Sequence, residues 1–261
     1  MSSGLHYDTL GDGVQTAWIL HGILGSGRNW RSFARGLARR YPEWRFVLPD
    51  LRNHGRSAHD ERMDYPAMAA DVAALIDEHG LDSALPIGHS MGGKAAMWLA
   101  LQRPELVAAL VVVDIAPVTY DHRHDAIFSA LQGLPLATLT GREEAARLLL
   151  DRLGDQGLVQ YLLQNLVRHE QRWRWRLNLA VLARRIDTLT AFPEVDADES
   201  YAGRTLFVHG AASDYLKPQY RARIDALFPH ARLRVIPGAG HWVYAEQPDV
   251  FFSVLNRFLE S

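Results

Sequence analysis

The sequence predicts an α/β fold in which helices flank a mostly parallel central sheet and a helical cap is inserted near the middle of the chain. Short apolar runs alternate with helical segments up to residue 116 and again from residue 204. Such alternation indicates right-handed β-α-β crossovers, which place successive strands parallel to each other. The alternation stops between Pro117 and Gly203. We therefore expect a core of residues 1–116 and 204–261 and a cap of residues 117–203.

The first part of the chain contains five predicted strands and three predicted helices. The strands are an edge strand at Leu5–Thr9, then Thr16–Leu20, Phe46–Leu48, Ala84–Ile87 and Leu110–Val113, and the helices are Arg28–Arg40, Tyr65–His79 and Met91–Gln102. Pro86 conflicts with the fourth strand, because proline has no N–H to donate to the ladder of a central strand. Polar residues follow the carboxyl ends of the strands, where ligand sites form in parallel sheets. These residues are His21, Asp50, Ser90 and Asp114.

The second part of the chain is predicted to be helical until it returns to the sheet. Helices are expected at Glu143–Leu153, Leu158–His169 and Leu177–Arg185, with no strand before Thr205. The sheet then resumes with strands at Thr205–Val208 and Leu233–Ile236 and helices at Pro218–Phe228 and Pro248–Leu259. We interpret the helical segment as a cap over the sheet, and the alternative is an ordinary helical layer on the flank of the sheet.

The composition indicates a globular protein and excludes several classes of site. The 261 residues are 48% hydrophobic, which is ample for a core, and the net charge of −2 gives no electrostatic footprint for nucleic acid. The absence of cysteine excludes disulfides, thiolate catalysis and cysteine-based metal sites. The polar N-terminus lacks the apolar stretch of a signal peptide, and no apolar run reaches the roughly 18–20 residues that span a bilayer. We therefore expect a cytoplasmic protein without a nucleic-acid or membrane partner, and the composition favours no particular oligomeric state.

A short glycine-flanked motif predicts the nucleophile. The stretch Gly88-His89-Ser90-Met91-Gly92 fits the pattern G-x-S-x-G, in which a strand turns sharply into a helix with serine at the apex. Serine at this turn adopts a strained backbone conformation, and the two glycines remove side chains that would clash there. The N-terminal amides of the following helix point to the same place and favour negative charge. The alternative is a glycine-rich turn that holds a hydrogen-bonded serine.

A serine nucleophile needs a neighbouring base, and His241 is the candidate. It follows the last predicted strand in a glycine-rich loop, and the chain order serine, acid, histidine accompanies the G-x-S-x-G motif. The alternative is an exposed loop histidine. The side chain of His89 should diverge from the neighbouring hydroxyl of Ser90, so we expect it to be structural. His21, which braces its own loop, and Lys94, one turn into the helix, are also expected to be structural.

A second group of histidines raises the question of a metal site. His122 and His124 are flanked by Asp121 and Asp125, and these side chains are possible metal ligands. A short polar run at the entrance of a helical segment is more often solvated than metal-bound. We therefore predict no metal site.

The order of these features resembles the α/β-hydrolase family over nearly the full chain. The shared order is a His-Gly loop, the elbow serine, a cap insertion, a late loop at the acid position and a Gly-His-Trp near the C-terminus. Three stretches are more narrowly similar to the YbfF-type esterases: residues 50–57 (DLRNHGRS), 88–94 (GHSMGGK) and 114–117 (DIAP). The first is the most specific, because most relatives carry Pro-Gly in place of Arg52-Asn53. The resemblance implies carboxylesterase or thioesterase activity on short to medium acyl chains, without a cofactor.

The resemblance leaves two candidates for the acid that orients His241. In most α/β hydrolases the acid follows the next-to-last strand, at a position held here by Ser213 with Asp214 beside it. In the YbfF-type group the acid resembles an earlier aspartate, here Asp114, and a serine at the usual position assists it. The sequence has both halves of this second pattern, so it favours Asp114, with Ser213 bonded to the histidine or to the carboxylate. The acid holds the imidazole tautomer and stabilises the imidazolium.

Two backbone amides are predicted to form the oxyanion hole. One belongs to Met91, directly after the nucleophile, and the other to Ile23, directly after His21-Gly22. Each preorganised donor of this kind contributes on the order of 10²–10³ in rate.

The substrate pocket is predicted from apolar residues near these loops. The candidates are Leu24, Trp30, Trp173, Trp175 and Trp242. Trp173 and Trp175 alternate with arginines, an arrangement suited to an aromatic wall with guanidinium groups that bind a phosphate, as in a coenzyme A thioester. The favoured interpretation is instead a cap surface with inward tryptophans and solvated arginines.

Together these residues predict a serine hydrolase that cleaves a small-molecule acyl ester or thioester through an acyl-enzyme. A dehalogenase or an epoxide hydrolase of this fold carries aspartate at the elbow, so Ser90 argues against both. Three alternatives stay open, because fold alone decides little about function. They are a carbon–carbon bond hydrolase, a menaquinone-pathway lyase and a ligand receptor that retains the triad.

Overall fold

The computed structural model describes residues 4–121 and 124–260 of the chain. Within these residues the strands are β1 (Tyr7–Leu10), β2 (Gln15–Leu20), β3 (Trp44–Pro49), β4 (Leu85–His89), β5 (Ala109–Val113), β6 (Leu166–His169), β7 (Arg172–Trp175), β8 (Arg204–Gly210) and β9 (Ala231–Ile236). The α-helices are α1 (Arg31–Arg40), α2 (Tyr65–Glu78), α3 (Met91–Gln102), α4 (Asp125–Gln132), α5 (Arg142–Leu153), α6 (Gln156–Leu163), α7 (Leu179–Arg184), α8 (Ile186–Thr190), α9 (Arg221–Leu227), α10 (Val243–Glu246) and α11 (Pro248–Leu259). None of the helices in these residues combines the length and the apolar character that crossing a bilayer requires.

Seven strands form one sheet in the order β1-β3-β2-β4-β5-β8-β9. In this sheet β1 runs antiparallel to β3, with Tyr7 opposite Pro49, and the other neighbouring strands are parallel. The sheet confirms the predicted α/β fold. Because β3 and β4 lie on opposite sides of β2, the strand order reverses there. Ligand sites in such sheets form at the carboxyl ends of the strands beside the reversal, which here are β2 and β4.

Helices cover both faces of the sheet. On one face α2 and α3 pack against the strands, and Val72, Met97 and Val112 are buried together. On the other face α1 and α11 contribute Leu37 and Phe251 to a second core. Central strands that are buried on both faces are apolar throughout, which explains why they appear in the sequence as unbroken apolar runs.

Pro86 lies within β4 at a position where the ladder does not need its N–H. The N–H and C=O of Ala84 both bond to the segment that leads into β5, and the N–H of Ser90 also bonds to β5. Every second residue between them, including Pro86, therefore faces β5. The regular pairing of these two strands begins only where Ile87 lies opposite Val111, so the proline falls at an interruption of the ladder.

The segment between β5 and β8 contains α4 to α8 and a two-stranded antiparallel sheet of β6 and β7. The prediction of no strand before Thr205 was wrong, and so was a helix that extends to His169, because α6 ends at Leu163. Glu170 and Gln171 have φ angles of +47° and +67°, and this tight turn joins the two strands as a hairpin. Glycine or asparagine usually marks such a turn, so Glu-Gln carried no signal. The limits of the cap stay a prediction.

Candidate active site

Ser90 occupies the sharp turn between β4 and α3. Its backbone angles are φ +53° and ψ −119°, a conformation that is strained for a residue with a side chain. A Cβ atom on Gly88 would lie 2.3 Å from the carbonyl oxygen of Gly92, and one on Gly92 would lie 2.5 Å from that of Leu20. The two glycines therefore permit the turn, for the steric reason that the motif predicts. Ser90 itself is buried, with 8% of its surface exposed.

Met91 is the first residue of α3, so its N–H has no acceptor within the helix. The positive end of the helix dipole lies at this same place and favours negative charge beside Ser90. Met91 and Ile23 both line a cavity with Ser90. These positions make an oxyanion hole geometrically possible.

Asp114 and His241 form a close hydrogen bond. Nδ1 of His241 donates to Oδ2 of Asp114 at 2.6 Å, and the carboxylate is fully buried. The same carboxylate accepts the N–H of Gly210 at 3.1 Å and the hydroxyl of Ser213 at 2.5 Å. Three donors thus fix the orientation of Asp114, and the imidazole is held in the tautomer that leaves Nε2 as an acceptor.

Asp214 lies away from this hydrogen-bonded group. Its side chain is 72% exposed and pairs with Lys217 at 3.2 Å, one turn along the chain. The structure therefore brings Asp114, and not Asp214, to His241. Tyr215, which the sequence analysis did not select, stacks on the imidazole of His241 with ring centroids 4.1 Å apart. In the sequence, only its position next to Ser213 and Asp214 could have indicated that Tyr215 lies at the site.

Buried histidines brace the loop that follows β2. Nε2 of His21 accepts the N–H of Leu51 at 2.9 Å, and Nε2 of His54 accepts the N–H of Leu24 at 3.1 Å. Burial lowers the pKa of His21 to about 4 and that of His54 to about 3, so both imidazoles are neutral at pH 7. Neutral rings can accept these backbone hydrogen bonds, which agrees with the structural role predicted for His21.

Two cavities meet at Ser90. The first, which we call the apolar cavity, has a volume of about 180 Å³ and is lined by Leu24, Leu158 and Trp242 among others. The second, the mixed cavity, has a volume of about 390 Å³, and its wall combines apolar side chains such as Ile186 and Leu189 with polar ones such as Tyr120 and Lys217. His241 lines the apolar cavity together with Ser90. Both cavities extend beneath the segment between β5 and β8.

The predicted pocket residues divide into two groups. Leu24 and Trp242 line the apolar cavity. Trp30, Trp173 and Trp175 line neither cavity at Ser90, so their prediction is corrected. Trp30 is fully buried in the core on the α1 and α11 face of the sheet, whereas Trp173 and Trp175 lie on β7 and pack against the core beneath the hairpin.

Lys94 is a buried residue of α3 that forms hydrogen bonds near both ends of the segment between β5 and β8. Nζ donates to the carbonyl oxygens of Val118, Thr190 and Ala191 at 2.7–2.8 Å. Burial lowers the pKa of Lys94 to about 7, while the three acceptors favour the ammonium form. These contacts agree with the structural role predicted for the lysine.

Asp121, the first residue of the polar run considered as a metal site, lines the mixed cavity. His122 lies outside the described residues, and His124 lines both cavities. In residues 4–121 and 124–260 no group of three or more histidine, aspartate or glutamate side chains is arranged to hold a metal ion.

Comparisons with known proteins agree with the fold. A family model described as "alpha/beta hydrolase fold" matches residues 19–248. The sn-1-specific diacylglycerol lipase ABHD11 of Mus musculus is 39% identical over 98% of this chain and 85% of its own length. Esterase YbfF of Escherichia coli is 39% identical over 92% of this chain and 91% of its own. Among solved structures, a marine microorganism esterase superposes with a TM-score of 0.93 at 35% identity, covering 97% of this chain and 98% of that chain.

Proposed function

Because the chain belongs to the α/β-hydrolase family, as an ester hydrolase similar to esterase YbfF, we propose that it works through a Ser90-His241-Asp114 triad. The observation that carries this proposal is the 2.6 Å hydrogen bond between Asp114 and His241, beside the strained Ser90 in one cavity. The substrate we propose is a short- to medium-chain acyl ester or thioester.

Acylation begins when Ser90 attacks the acyl carbonyl and Nε2 of His241 takes its proton. The carbonyl oxygen becomes an oxyanion, which the amides of Ile23 and Met91 stabilise. The tetrahedral intermediate then collapses, and His241 gives its proton to the leaving alcohol or thiol. Water, activated by the same histidine, hydrolyses the acyl-enzyme and restores Ser90.

Asp114 acts through His241 in this scheme. Its buried carboxylate holds the Nδ1–H tautomer and stabilises the imidazolium that forms during each proton transfer. Ser213 donates to the same carboxylate oxygen and accepts the N–H of Tyr215 at 3.2 Å, so it limits rotation of the acid.

The two cavities support a substrate with two chemically different ends. An apolar space of about 180 Å³ suits a short alkyl chain, and a larger space of about 390 Å³ with both polar and apolar walls suits a group that combines hydrogen-bonding atoms with apolar ones. The name of the murine relative, a diacylglycerol lipase, makes 1,2-diacylglycerol a substrate to test beside simple esters.

The test is hydrolysis of p-nitrophenyl acetate, butyrate and octanoate, butyryl-coenzyme A and 1,2-dioctanoylglycerol. The wild type is compared with Ser90→Ala, Asp114→Asn and Asp214→Asn. We expect Ser90→Ala to abolish turnover and Asp114→Asn to lower kcat by about 10⁴-fold, the effect measured for a triad aspartate elsewhere. Asp214→Asn is the matched control and retains activity, because its carboxylate is exposed and pairs with Lys217.

Two outcomes would overturn parts of this proposal. Loss of activity in Asp214→Asn with a working Asp114→Asn enzyme would reverse the assignment of the acid. A wild type that is inert on all five substrates, with no covalent adduct from a fluorophosphonate, would favour a carbon–carbon bond hydrolase, a lyase or a receptor of the same fold.

A further inference from the structure

The loop from His21 to Gly27, which we call the oxyanion loop, carries the amide of Ile23. Its conformation is not one that leucine prefers, since Leu24 has a φ of +59° in the left-handed region. Contacts from outside the loop must therefore maintain it. These contacts come from two parts of the chain: the residues that follow β3, and the segment between β5 and β8.

Residues that follow β3 hold one side of the oxyanion loop. The N–H of Leu24 donates to Nε2 of His54 at 3.1 Å, and Nδ1 of His54 in turn donates to the carbonyl of Arg52 at 2.9 Å. At the far end of the loop, the N–H of Gly27 donates to Oδ1 of Asp50 at 2.8 Å. These partners all lie in the turn that directly follows β3 of the seven-stranded sheet.

The segment between β5 and β8 holds the other side. The hydroxyl of Tyr161, on α6, donates to the carbonyl of Ile23 at 2.9 Å. The side-chain amide of Asn165, which follows α6, donates to the carbonyl of Leu24 at 2.6 Å. Asn165 is buried, with 2% of its surface exposed, and its backbone carbonyl accepts the N–H of Arg176 at 2.8 Å. Asn165 is thus held by the residue that follows β7 of the hairpin.

Gly25 shows how closely α6 approaches the loop. A Cβ atom at this position would lie 2.4 Å from the hydroxyl oxygen of Tyr161. A further contact joins the two elements nearby, where the side-chain amide of Asn29 donates to Oε1 of Gln164 at 2.9 Å. The tyrosine hydroxyl therefore occupies the space that a side chain at Gly25 would need. This hydroxyl donates to the carbonyl of Ile23, the residue whose N–H is the proposed oxyanion donor.

We propose that Tyr161 and Asn165 are positioning residues for catalysis, because their hydrogen bonds to the carbonyls of Ile23 and Leu24 set the direction of the Ile23 amide. This inference rests on the proposed function, in which that amide stabilises the oxyanion. The N–H of Leu24 is bonded to His54, and the carbonyl of Leu24 is bonded to Asn165. The oxyanion hole is therefore complete only when α6 is docked on the loop. Tyr161 lines the apolar cavity, but in this scheme neither side chain touches the substrate carbonyl.

The test compares Tyr161→Phe, Asn165→Ala and the double variant with the control Asn178→Ala. Asn178 also joins this segment to the core, since its side-chain amide donates to Oδ1 of Asn53 at 2.9 Å, but it has no bond to the oxyanion loop. Tyr161→Phe removes a single oxygen atom and keeps the ring in place, so it tests the proposal even where Asn165→Ala folds poorly. The readouts are kcat and KM for p-nitrophenyl butyrate, the melting temperature and the inhibition constant of an alkyl trifluoromethyl ketone, which forms an oxyanion adduct with serine.

We expect kcat to fall about 10- to 100-fold in Asn165→Ala and about 3- to 10-fold in Tyr161→Phe, with KM within about twofold of wild type. The trifluoromethyl ketone should bind more weakly by the same factors, because its adduct uses the same amides. A purely structural role would instead lower the melting temperature of Asn165→Ala and Asn178→Ala alike and leave the inhibitor constant unchanged. That result, or a kcat for both test variants within about twofold of the control, overturns the inference. Failure of the proposed function is distinguished from both by a Ser90→Ala enzyme that still turns over the ester.

Discussion

His89 holds the backbone of His241. Its Nε2–H donates to the carbonyl oxygen of His241 at 2.9 Å, and the two ring centroids are 4.6 Å apart. The residue before the proposed nucleophile therefore fixes the loop that carries the proposed base. Burial lowers the pKa of His89 well below its ordinary value, which keeps the ring neutral. The sequence analysis expected a structural role for His89 and could not specify this partner.

Replacement of His89 by phenylalanine should impair catalysis more than folding. The ring volume is kept and the donor to His241 is lost, so we expect kcat to fall about 3- to 10-fold, the usual worth of one hydrogen bond. Steady-state kinetics on p-nitrophenyl butyrate measure this, and thermal unfolding verifies that the fold is retained. An unchanged kcat in a well-folded His89→Phe enzyme would show that the loop holds its position without this bond.

Ser213→Ala tests the support that the hydroxyl gives to Asp114. The variant removes one of three donors to the buried carboxylate and leaves the hydrogen bond from His241 in place. We therefore expect a loss of about tenfold in kcat, intermediate between those of Asp114→Asn and Asp214→Asn. Side-by-side kinetics of the three variants establish the order. A Ser213→Ala loss as large as that of Asp114→Asn would mean that the serine, rather than the aspartate, governs the histidine.

Stability should fall on acidification because the pKa values of three buried histidines, His21, His54 and His89, are lowered by burial. The folded pKa values of His21 and His54, about 4 and about 3, lie below the ordinary value of 6.5. Between pH 6.5 and these values the unfolded chain binds protons that the folded chain does not, so stability is full above pH 6.5 and is lost as the pH falls. At pH 5 the loss is about 2 kcal/mol for each histidine. Urea denaturation at pH 7 and pH 5 measures the difference.

A histidine variant separates this effect from the titration of carboxylates. His54→Asn should lose about a third of the pH-dependent difference, since His21 and His89 keep their contributions, although its stability at pH 7 is also lower because Leu24 loses its acceptor. His230→Gln, at an exposed position, controls for the removal of any histidine. Equal free energies of unfolding at pH 7 and pH 5 in the wild type would contradict the prediction.

The fold and the sharp turn at Ser90 could be predicted because both depend on local sequence. Buried parallel strands are continuous apolar runs, and the turn at Ser90 requires glycine at positions 88 and 92 whatever the rest of the chain does. The preference for Asp114 over Asp214 came from the family resemblance, since both aspartates follow predicted strands. The structure separates them by burial, with Asp114 fully buried and Asp214 largely exposed.

The errors concern residues whose role depends on how distant segments dock. The hairpin of β6 and β7 was missed because Glu170-Gln171 is an unusual turn. Trp173 and Trp175, which lie on it, were pocket candidates, although a cap surface with inward tryptophans was the favoured interpretation. Tyr161 and Asn165 carry no motif, and only the docking of α6 on the oxyanion loop reveals their partners. The bonded residues are 138 and 141 positions apart in the sequence. Periodicity along the chain gives no information about contacts at such separations.

Lys94 offers a test of how the inserted segment is attached. Its ammonium group bonds to Val118 at the start of the segment and to Thr190 and Ala191 near its end. It also lies 4.7 Å from the ring centroid of Tyr120, within the range of a cation–π interaction. A single side chain of the nucleophile helix α3 therefore holds both connections.

Lys94→Met should lower the free energy of unfolding by about 2–4 kcal/mol at pH 6, because three buried carbonyls lose a charged donor and the gain from removing a buried charge offsets only part of that loss. The measurement belongs at pH 6 because the folded pKa of about 7 leaves the amine protonated there. Lys217→Met is the matched control, as Lys217 is the only other lysine of the chain and its side chain is partly exposed. Surface changes of that kind stay within about 0.5 kcal/mol of wild type. Equal effects of the two substitutions would show that the carbonyls find other donors and that α3 does not anchor the segment.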